Sequence, residues 1–170
     1  FGIIGDPAKR DPRTRQSADH SMVYIVATLL RKAYEEGEAS WLGLMLLPRD
    51  YDDESLFHPL TRRLMEKIRF EHGGDEYDIR YPDGIPTRVD LLHAQHGSFT
   101  SGLVLYPLGH ARSEQVAEFG EVVATKFQRL AGLGVTDPRA LQRRLLHLSD
   151  VSADEFQDLY NFSLDACSVF

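Results

Sequence analysis

The pattern of apolar and polar positions predicts a long buried helix near the start of the chain. Between Met22 and Leu30 only Thr28 is plainly polar. A helix at a protein surface carries an apolar stripe with a polar back, whereas this segment is apolar on nearly every side. We therefore expect a helix over about residues 19–35, buried inside a larger body and ending before Gly37, a residue type that favours a helix C-terminus.

Amphipathic spacing and capping residues predict four more helices. Apolar residues recur at helical spacing over about residues 59–68 and 113–131, and Ser113 is a suitable N-cap for the second of these helices. The run Thr136-Asp-Pro-Arg opens a fourth helix with proline at its first position. A capping box that begins at Ser152 opens a fifth helix.

One stretch between these helices has the pattern of an antiparallel hairpin. Two apolar arms over residues 87–106 flank a turn in which Gly97 can adopt a positive φ. Residues 69–72 add a predicted strand. The fold class is therefore α+β: a small antiparallel sheet packed against helices, with additional helices at the C-terminal end.

The composition narrows the classes of protein to which the chain can belong. Its 170 residues, 42% of them hydrophobic, suffice for one domain with a core. A formal net charge of −7 argues against a nucleic-acid partner, and it means that an anionic substrate needs a locally positive pocket. The single cysteine, Cys167, excludes a disulfide framework within the chain and an iron–sulfur cluster built from several cysteines. With no apolar run of membrane-spanning length and no visible signal peptide, we expect a cytoplasmic protein with no membrane contact.

The start of the first predicted helix collects side chains that could form an anion site: Arg13, Arg15, Ser17, Asp19, His20 and Ser21. A helix N-terminus presents free N–H groups and the positive end of a dipole, and arginines beside it strengthen the attraction for anions. A plainer interpretation stays open. Ser17 or Asp19 caps the helix, His20 satisfies a nearby carbonyl, and the arginines are solvated.

Two groups of polar residues invite a metal interpretation, and neither has the required spacing. The acidic run at residues 50–54 lacks the alternating ligands, the glycine and the distal glutamate of a calcium loop. His93 and His96 lie at a strand end, where zinc would need two more ligands. We therefore expect no metal site and interpret the acidic run as a solvated turn before a helix.

Four stretches, in this order, resemble one known family. The first and most specific is Asp11-Pro-Arg-Thr-Arg-Gln-Ser-Ala-Asp-His-Ser-Met-Val-Tyr-Ile, and the others are His58-Pro-Leu-Thr-Arg-Arg, Ile85-Pro-Thr-Arg-Val-Asp and Tyr106-Pro-Leu-Gly-His-Ala-Arg-Ser. They resemble the C-terminal domain of the MmgE/PrpD family over about residues 1–132. The opening Phe1-Gly-Ile-Ile-Gly-Asp-Pro is most similar to bacterial 2-methylcitrate dehydratases.

The resemblance implies an organisation for the whole protein. Residues 1–134 would form the α+β domain, and residues 135–170 would form a helical tail that returns to a helical domain preceding this sequence in the family. We expect that helical domain to be a partner, the full protein to be a homodimer, and the present chain alone to be inactive. The resemblance implies no metal or organic cofactor.

The resemblance also implies a reaction, the dehydration of a hydroxy-tricarboxylate such as 2-methylcitrate in propionate catabolism. His20 would be the acid–base residue, because a histidine side chain gains and loses protons near neutral pH. The residues expected to bind the substrate are Arg15, Arg13, Ser21, His110 and Arg112. Two alternatives remain: a sister chemistry such as cis-aconitate decarboxylation or epimerisation, and a non-catalytic domain that serves binding or assembly.

Overall fold

The computed structural model describes residues 6–37 and 39–164, and their contacts form two compact units. The first unit comprises Phe1–Arg69 and Ala124–Phe170, and the second comprises Phe70–Val123. Cys167 and the opening residues 1–5 lie outside the described residues. The predicted fold class is confirmed, since helices are combined with one small antiparallel sheet. The predicted division at residue 134 stays a prediction.

The described residues form short helices around one long helix. The α-helices, in chain order, are α1 (Pro7–Arg10), α2 (Arg15–Ala18), α3 (Met22–Glu36), α4 (Asp53–Leu56), α5 (Pro59–Met65), α6 (Asp75–Asp78), α7 (Phe119–Ala131), α8 (Pro138–Leu146) and α9 (Ala153–Gln157). Single 3₁₀ turns occupy Pro48–Tyr51, Val116–Glu118, Leu148–Asp150 and Asp158–Tyr160. None of the helices in this part of the chain combines the length and apolar character needed to cross a bilayer.

Helix α3 is the centre of the first unit. Ser21 caps its start, and Gly37, with φ of 64°, ends it in the left-handed conformation that glycine adopts without strain. The helix packs against α5, and it buries one stripe of side chains: Val23, Tyr24, Ala27, Thr28 and Lys32. The expectation of burial on every side is therefore wrong for this chain, because Met22 is exposed and Val26 is half-buried.

A hydrogen-bond network fixes α3 to the 3₁₀ turn Pro48–Tyr51. The hydroxyl of Tyr24 donates to the backbone carbonyl of Asp50 at 2.6 Å. Lys32 Nζ donates to Asp50 Oδ2 at 3.0 Å, and the backbone N–H of Leu47 donates to the same oxygen at 2.7 Å. Because Lys32 and Asp50 are both buried, each charge depends on the other for stabilisation.

The second unit contains the predicted hairpin. Strand β1 (Asp90–His93) pairs antiparallel with β2 (Gly97–Thr100), and Gly97 has a φ of 81°, as the turn requires. Beyond the strands, Thr87 pairs with Val104, so the second arm has one residue more than the first. Gly102, with φ of 67°, lies within this bulge. Residues 69–72 form no strand, so that prediction is wrong.

The C-terminal capping signals give mixed results. Helix α8 begins at Pro138, as predicted, and Asp137 Oδ1 caps it by accepting from the N–H of Ala140 at 2.9 Å. Ser152 and Glu155 form the predicted capping box of α9. Ser113 does not cap an α-helix. The Val116–Glu118 turn follows it instead, and α7 begins at Phe119.

Candidate functional site

The segment that carries the predicted site contains the N-caps of two successive helices, α2 and α3. Thr14 caps α2 and forms a capping box with Ser17. The short helix α2 therefore ends before α3 begins with a cap of its own. Asp19 is the C-cap residue of α2, and Ser21 is the N-cap residue of α3. Neither Ser17 nor Asp19 caps α3, which corrects the plainer interpretation of this segment.

His20 and Asp19 form a hydrogen-bonded pair at this junction. His20 Nδ1 lies 2.5 Å from Asp19 Oδ1, and the two side chains are 65% and 46% exposed. An ionised carboxylate is an acceptor, so Nδ1 carries the proton and donates to Asp19. The other ring nitrogen, Nε2, is then the atom of His20 that can accept a proton from a substrate.

Ser21 is a structural residue in this arrangement. Its side chain is fully buried, its hydroxyl donates to the carbonyl of Lys9, and its Oγ accepts from the N–H of Tyr24 at 3.1 Å. These contacts anchor α1 to the start of α3 and use the hydroxyl proton. A direct contact between Ser21 and a substrate stays a prediction.

Arg13 belongs to a network centred on Asp11. Its Nε and Nη2 donate to Asp11 Oδ2 at 3.0 and 2.6 Å, while Arg62 Nη1 donates to Asp11 Oδ1 at 2.8 Å. The hydrogen bond from Arg13, together with the charges of both arginines, lowers the pKa of Asp11 below its ordinary value. Arg62 also donates to the carbonyls of Leu56 and Pro12, so it ties α5 to the segment before α2.

This network is part of a basic groove of about 550 Å³ in the first unit. Its lining residues are Arg10, Asp11, Arg13, Phe57, Arg62, Met65, Glu66 and Arg69. Arg69 donates to the carbonyls of Glu66 and Ile68, and among the described residues it forms no ion pair with a carboxylate. The lining contains four guanidinium groups and two carboxylates. The groove is therefore a locally positive surface on a chain whose net charge is negative.

The remaining predicted residues, His110 and Arg112, lie in a loop of the second unit. The ring of His110 stacks on Tyr106 with centroids 4.7 Å apart, and Arg112 Cζ lies 6.0 Å from the centre of the Tyr106 ring. Arg112 Nη1 also approaches Tyr106 Oη at 3.4 Å. The structure therefore brings these two residues together, and it adds Tyr106 to them.

A comparison with family models identifies the family of the chain. The model of the MmgE/PrpD C-terminal domain matches residues 1–150. The chain belongs to the MmgE/PrpD family. The match extends further along the chain than the resemblance in sequence suggested, since it includes α8. No curated protein and no solved structure matches the chain.

MmgE/PrpD membership associates the chain with dehydratase-like lyases, and the site can be assessed against that chemistry. Such a reaction needs a proton acceptor and cations that hold carboxylates. Nε2 of His20 suits the first need, and the groove that contains Arg13 suits the second. Arg15 is half-buried at the start of α2. Among the described residues no group of three or more His, Cys, Asp or Glu side chains lies close enough to hold a metal ion.

Two features of this MmgE/PrpD domain were missed in the sequence. Arg62 lies on the polar side of the helix predicted over about residues 59–68, and Arg69 lies in the predicted strand 69–72. The contact of Arg62 with Asp11 spans 51 residues, so neither local pattern indicates it. Tyr106 stands in the same motif as His110 and Arg112, and that proximity was the available signal. An aromatic residue four positions before a histidine in a glycine-containing bend can stack on it.

Proposed function

We propose that this chain provides the C-terminal domain of a cofactor-free lyase that dehydrates a hydroxy-tricarboxylate. We propose 2-methylcitrate as the substrate, which places the enzyme in propionate catabolism. The observation that carries the proposal is the match of the MmgE/PrpD C-terminal domain to residues 1–150. The geometry of His20 and the basic groove supports it.

The proposed reaction removes water from adjacent carbon atoms. A base takes the proton from the carbon beside a carboxylate, and a general acid gives a proton to the neighbouring hydroxyl as its C–O bond breaks, so that a C=C bond forms and water leaves. We assign the proton transfer to Nε2 of His20. Asp19 holds the ring through Nδ1 at 2.5 Å, so the second nitrogen points its lone pair away from that bond.

Binding of the substrate carboxylates is assigned to cationic side chains. Arg13 and Arg15 precede His20 by seven and five residues in the sequence, and we propose that they hold carboxylates while negative charge develops beside the reacting carbon. His110 and Arg112 would hold a further carboxylate from their loop. Ser21 would contribute through the backbone that it fixes at the start of α3.

The partners of the chain follow from the same proposal. Apolar side chains of the C-terminal helical region are exposed, among them Leu146 at 72% and Tyr160 at 74%. Covering these side chains with a second apolar surface would be favourable, so the exposure supports packing against the family's helical domain and a homodimer. We propose a cytoplasmic enzyme whose activity requires the helical domain.

The test is a product assay on the full-length protein. Purified enzyme is incubated with 2-methylcitrate, citrate and cis-aconitate, and the products are followed by proton NMR. We expect an alkene signal from 2-methylcitrate. Release of carbon dioxide from cis-aconitate would show that the enzyme is a decarboxylase and not a dehydratase. A folded dimer that reacts with none of the three compounds would favour a binding or assembly module.

A further inference from the structure

Tyr106 makes contact with both donor side chains of its loop. Its ring stacks almost parallel on His110, with an angle of 15° between the planes and 4.7 Å between the centroids. The same ring lies 6.0 Å from Arg112 Cζ, and its Oη lies 3.4 Å from Arg112 Nη1. A flat aromatic surface thus restricts two side chains that would otherwise sample many rotamers.

The backbone of the loop fixes the proton of His110. The N–H of Arg112 donates to His110 Nδ1 at 3.1 Å, so Nδ1 is an acceptor and the ring proton lies on Nε2. The loop therefore carries an imidazole N–H and a guanidinium group, both in contact with Tyr106. Two donors of this kind match the two oxygens of a carboxylate.

Backbone hydrogen bonds hold the bend that carries the cluster of Tyr106, His110 and Arg112. The N–H of His110 donates to the carbonyl of Pro107 at 3.0 Å, and the N–H of Ser113 donates to the carbonyl of His110 at 2.8 Å. Gly109 adopts a φ of 90° and lies against the ring of Phe119. Tyr106 is therefore attached to a bend of defined shape.

The electrostatics of the cluster agree with this geometry. The hydrogen bond from Arg112 to Tyr106 raises the pKa of Arg112 above its ordinary value, and the negative charge of Asp83 adds to the effect. The guanidinium stays charged at every physiological pH. It is exposed to solvent, as is His110, so an anion can reach both.

We propose that Tyr106 is a positioning residue that holds His110 and Arg112 as a preformed donor pair for one carboxylate of the substrate. The inference rests on the proposed function, and it adds a residue to which no role in that function has been given. Tyr106 touches the two side chains rather than the reacting atoms. Its contribution comes from the rotamer freedom that His110 and Arg112 no longer lose on binding.

Two substitutions separate the contribution of the Tyr106 ring from that of its hydroxyl. Tyr106→Leu removes the aromatic surface and the hydroxyl, whereas Tyr106→Phe keeps the surface and removes the hydroxyl. Tyr34→Leu is the matched control, because Tyr34 is an 81% exposed tyrosine on α3, outside the loop. The probe is tricarballylate, a tricarboxylate without a hydroxyl group, and its affinity for the full-length protein is measured by calorimetry.

We expect Tyr106→Leu to weaken tricarballylate binding about tenfold, a typical loss for one disordered ionic contact. Tyr106→Phe should bind about threefold more weakly, and Tyr34→Leu should bind as the wild type does. In turnover, Tyr106→Leu should raise KM with little change in kcat. Nitrogen NMR of His110 should show the proton on Nε2 in the wild type, as the hydrogen bond from the N–H of Arg112 to Nδ1 requires.

The outcomes keep this inference apart from the proposed function. Wild-type affinity in Tyr106→Leu, or the same loss in Tyr34→Leu, overturns the positioning role while leaving the dehydratase proposal intact. A wild type that does not bind tricarballylate also overturns it. A wild type that binds tricarballylate, loses that binding in Tyr106→Leu and dehydrates no hydroxy-tricarboxylate overturns the proposed reaction and supports the carboxylate site.

Discussion

Lys32 Nζ lies 3.0 Å from Asp50 Oδ2, and the two side chains are only 2% and 7% exposed. This ion pair joins the last half of α3 to the 3₁₀ turn Pro48–Tyr51, and Asp50 Oδ2 also accepts from the N–H of Leu47. Removing a charge from water is costly, so each member of the pair needs the other.

Lys32→Met should destabilise the fold by about 3–5 kcal/mol, because it leaves the carboxylate of Asp50 buried without its cation. The double substitution Lys32→Met with Asp50→Asn should recover much of that loss. Asparagine keeps an acceptor for the N–H of Leu47 and buries no charge. Denaturant unfolding of the three variants measures both effects.

Glu35→Gln is the matched control for this experiment. It breaks the pair that Arg31 and Glu35 form at 3.0 Å on the partly exposed side of the same helix. Such a pair contributes about 0.3–0.5 kcal/mol. A Lys32→Met variant that loses no more stability than Glu35→Gln would show that the pair is not buried in solution.

Burial raises the pKa of Tyr51 to about 12, and the neighbouring Tyr24, Asp19 and Asp50 add to the shift. The neutral phenol is therefore favoured in the folded state relative to the unfolded chain, where the ordinary value is 10.0. The resulting stability is fully present below pH 10 and is lost as the pH rises towards 12. The loss is at most about 1.4 kcal/mol per pH unit for this residue.

Tyr51→Phe should flatten that alkaline decline. Unfolding free energies of the wild type and the variant between pH 9 and 12 measure the difference. The pKa of Tyr24 is also raised, chiefly by burial, so part of the decline should remain in the variant. Equal slopes in the two proteins would mean that Tyr51 is accessible to solvent.

Gly109 should resist substitution for two reasons that act together. Its φ of 90° is unfavourable for a residue with a side chain, and an added Cβ would lie 2.6 Å from atoms of the Phe119 ring. Gly109→Ala should therefore cost about 1–3 kcal/mol. Gly120→Ala is the control, since a Cβ there meets nothing within 4 Å, and it should be neutral or stabilise by up to about 1 kcal/mol. Similar melting temperatures for the two variants would contradict the packing of this bend.

Chelation should leave the turnover of the full-length protein unchanged. The proposed reaction gives the proton to His20 and the carboxylates to arginines, so no step depends on a metal ion. Activity before and after exhaustive dialysis against a chelator measures this. Loss of activity that zinc, iron or magnesium restores would overturn the cofactor-free mechanism.

Local signals in the sequence were sufficient to predict the hairpin and the starts of the two C-terminal helices. Gly97 adopts the positive φ that its turn requires, and Asp137 and Ser152 cap the helices that they precede. Each of these features depends on residues a few positions apart. The signal at Ser113 failed because a 3₁₀ turn competes with the α-helix for the first residues after it.

Contacts between distant residues could not be derived in the same way. Lys32 reads as the polar end of α3, and nothing in its neighbourhood indicates Asp50, 18 residues later. The approach of Arg62 to Asp11 is equally hidden, and so the basic groove was missed as a whole. His20 is a candidate from its motif alone, while its bond to Asp19 required coordinates.

The role of His20 is tested most directly by the turnover of His20→Gln in the full-length protein with 2-methylcitrate. Removing an acid–base residue lowers kcat by roughly 10²–10⁴, whereas losing a structural contact lowers stability and leaves the rate nearly unchanged. His147→Gln is the matched control, because His147 is also an exposed histidine paired with a carboxylate, that of Asp150. We expect His20→Gln to melt as the wild type does and to lose at least about a hundredfold in kcat, with His147→Gln fully active. A His20→Gln variant that melts earlier yet dehydrates 2-methylcitrate at nearly the wild-type rate would contradict the catalytic assignment.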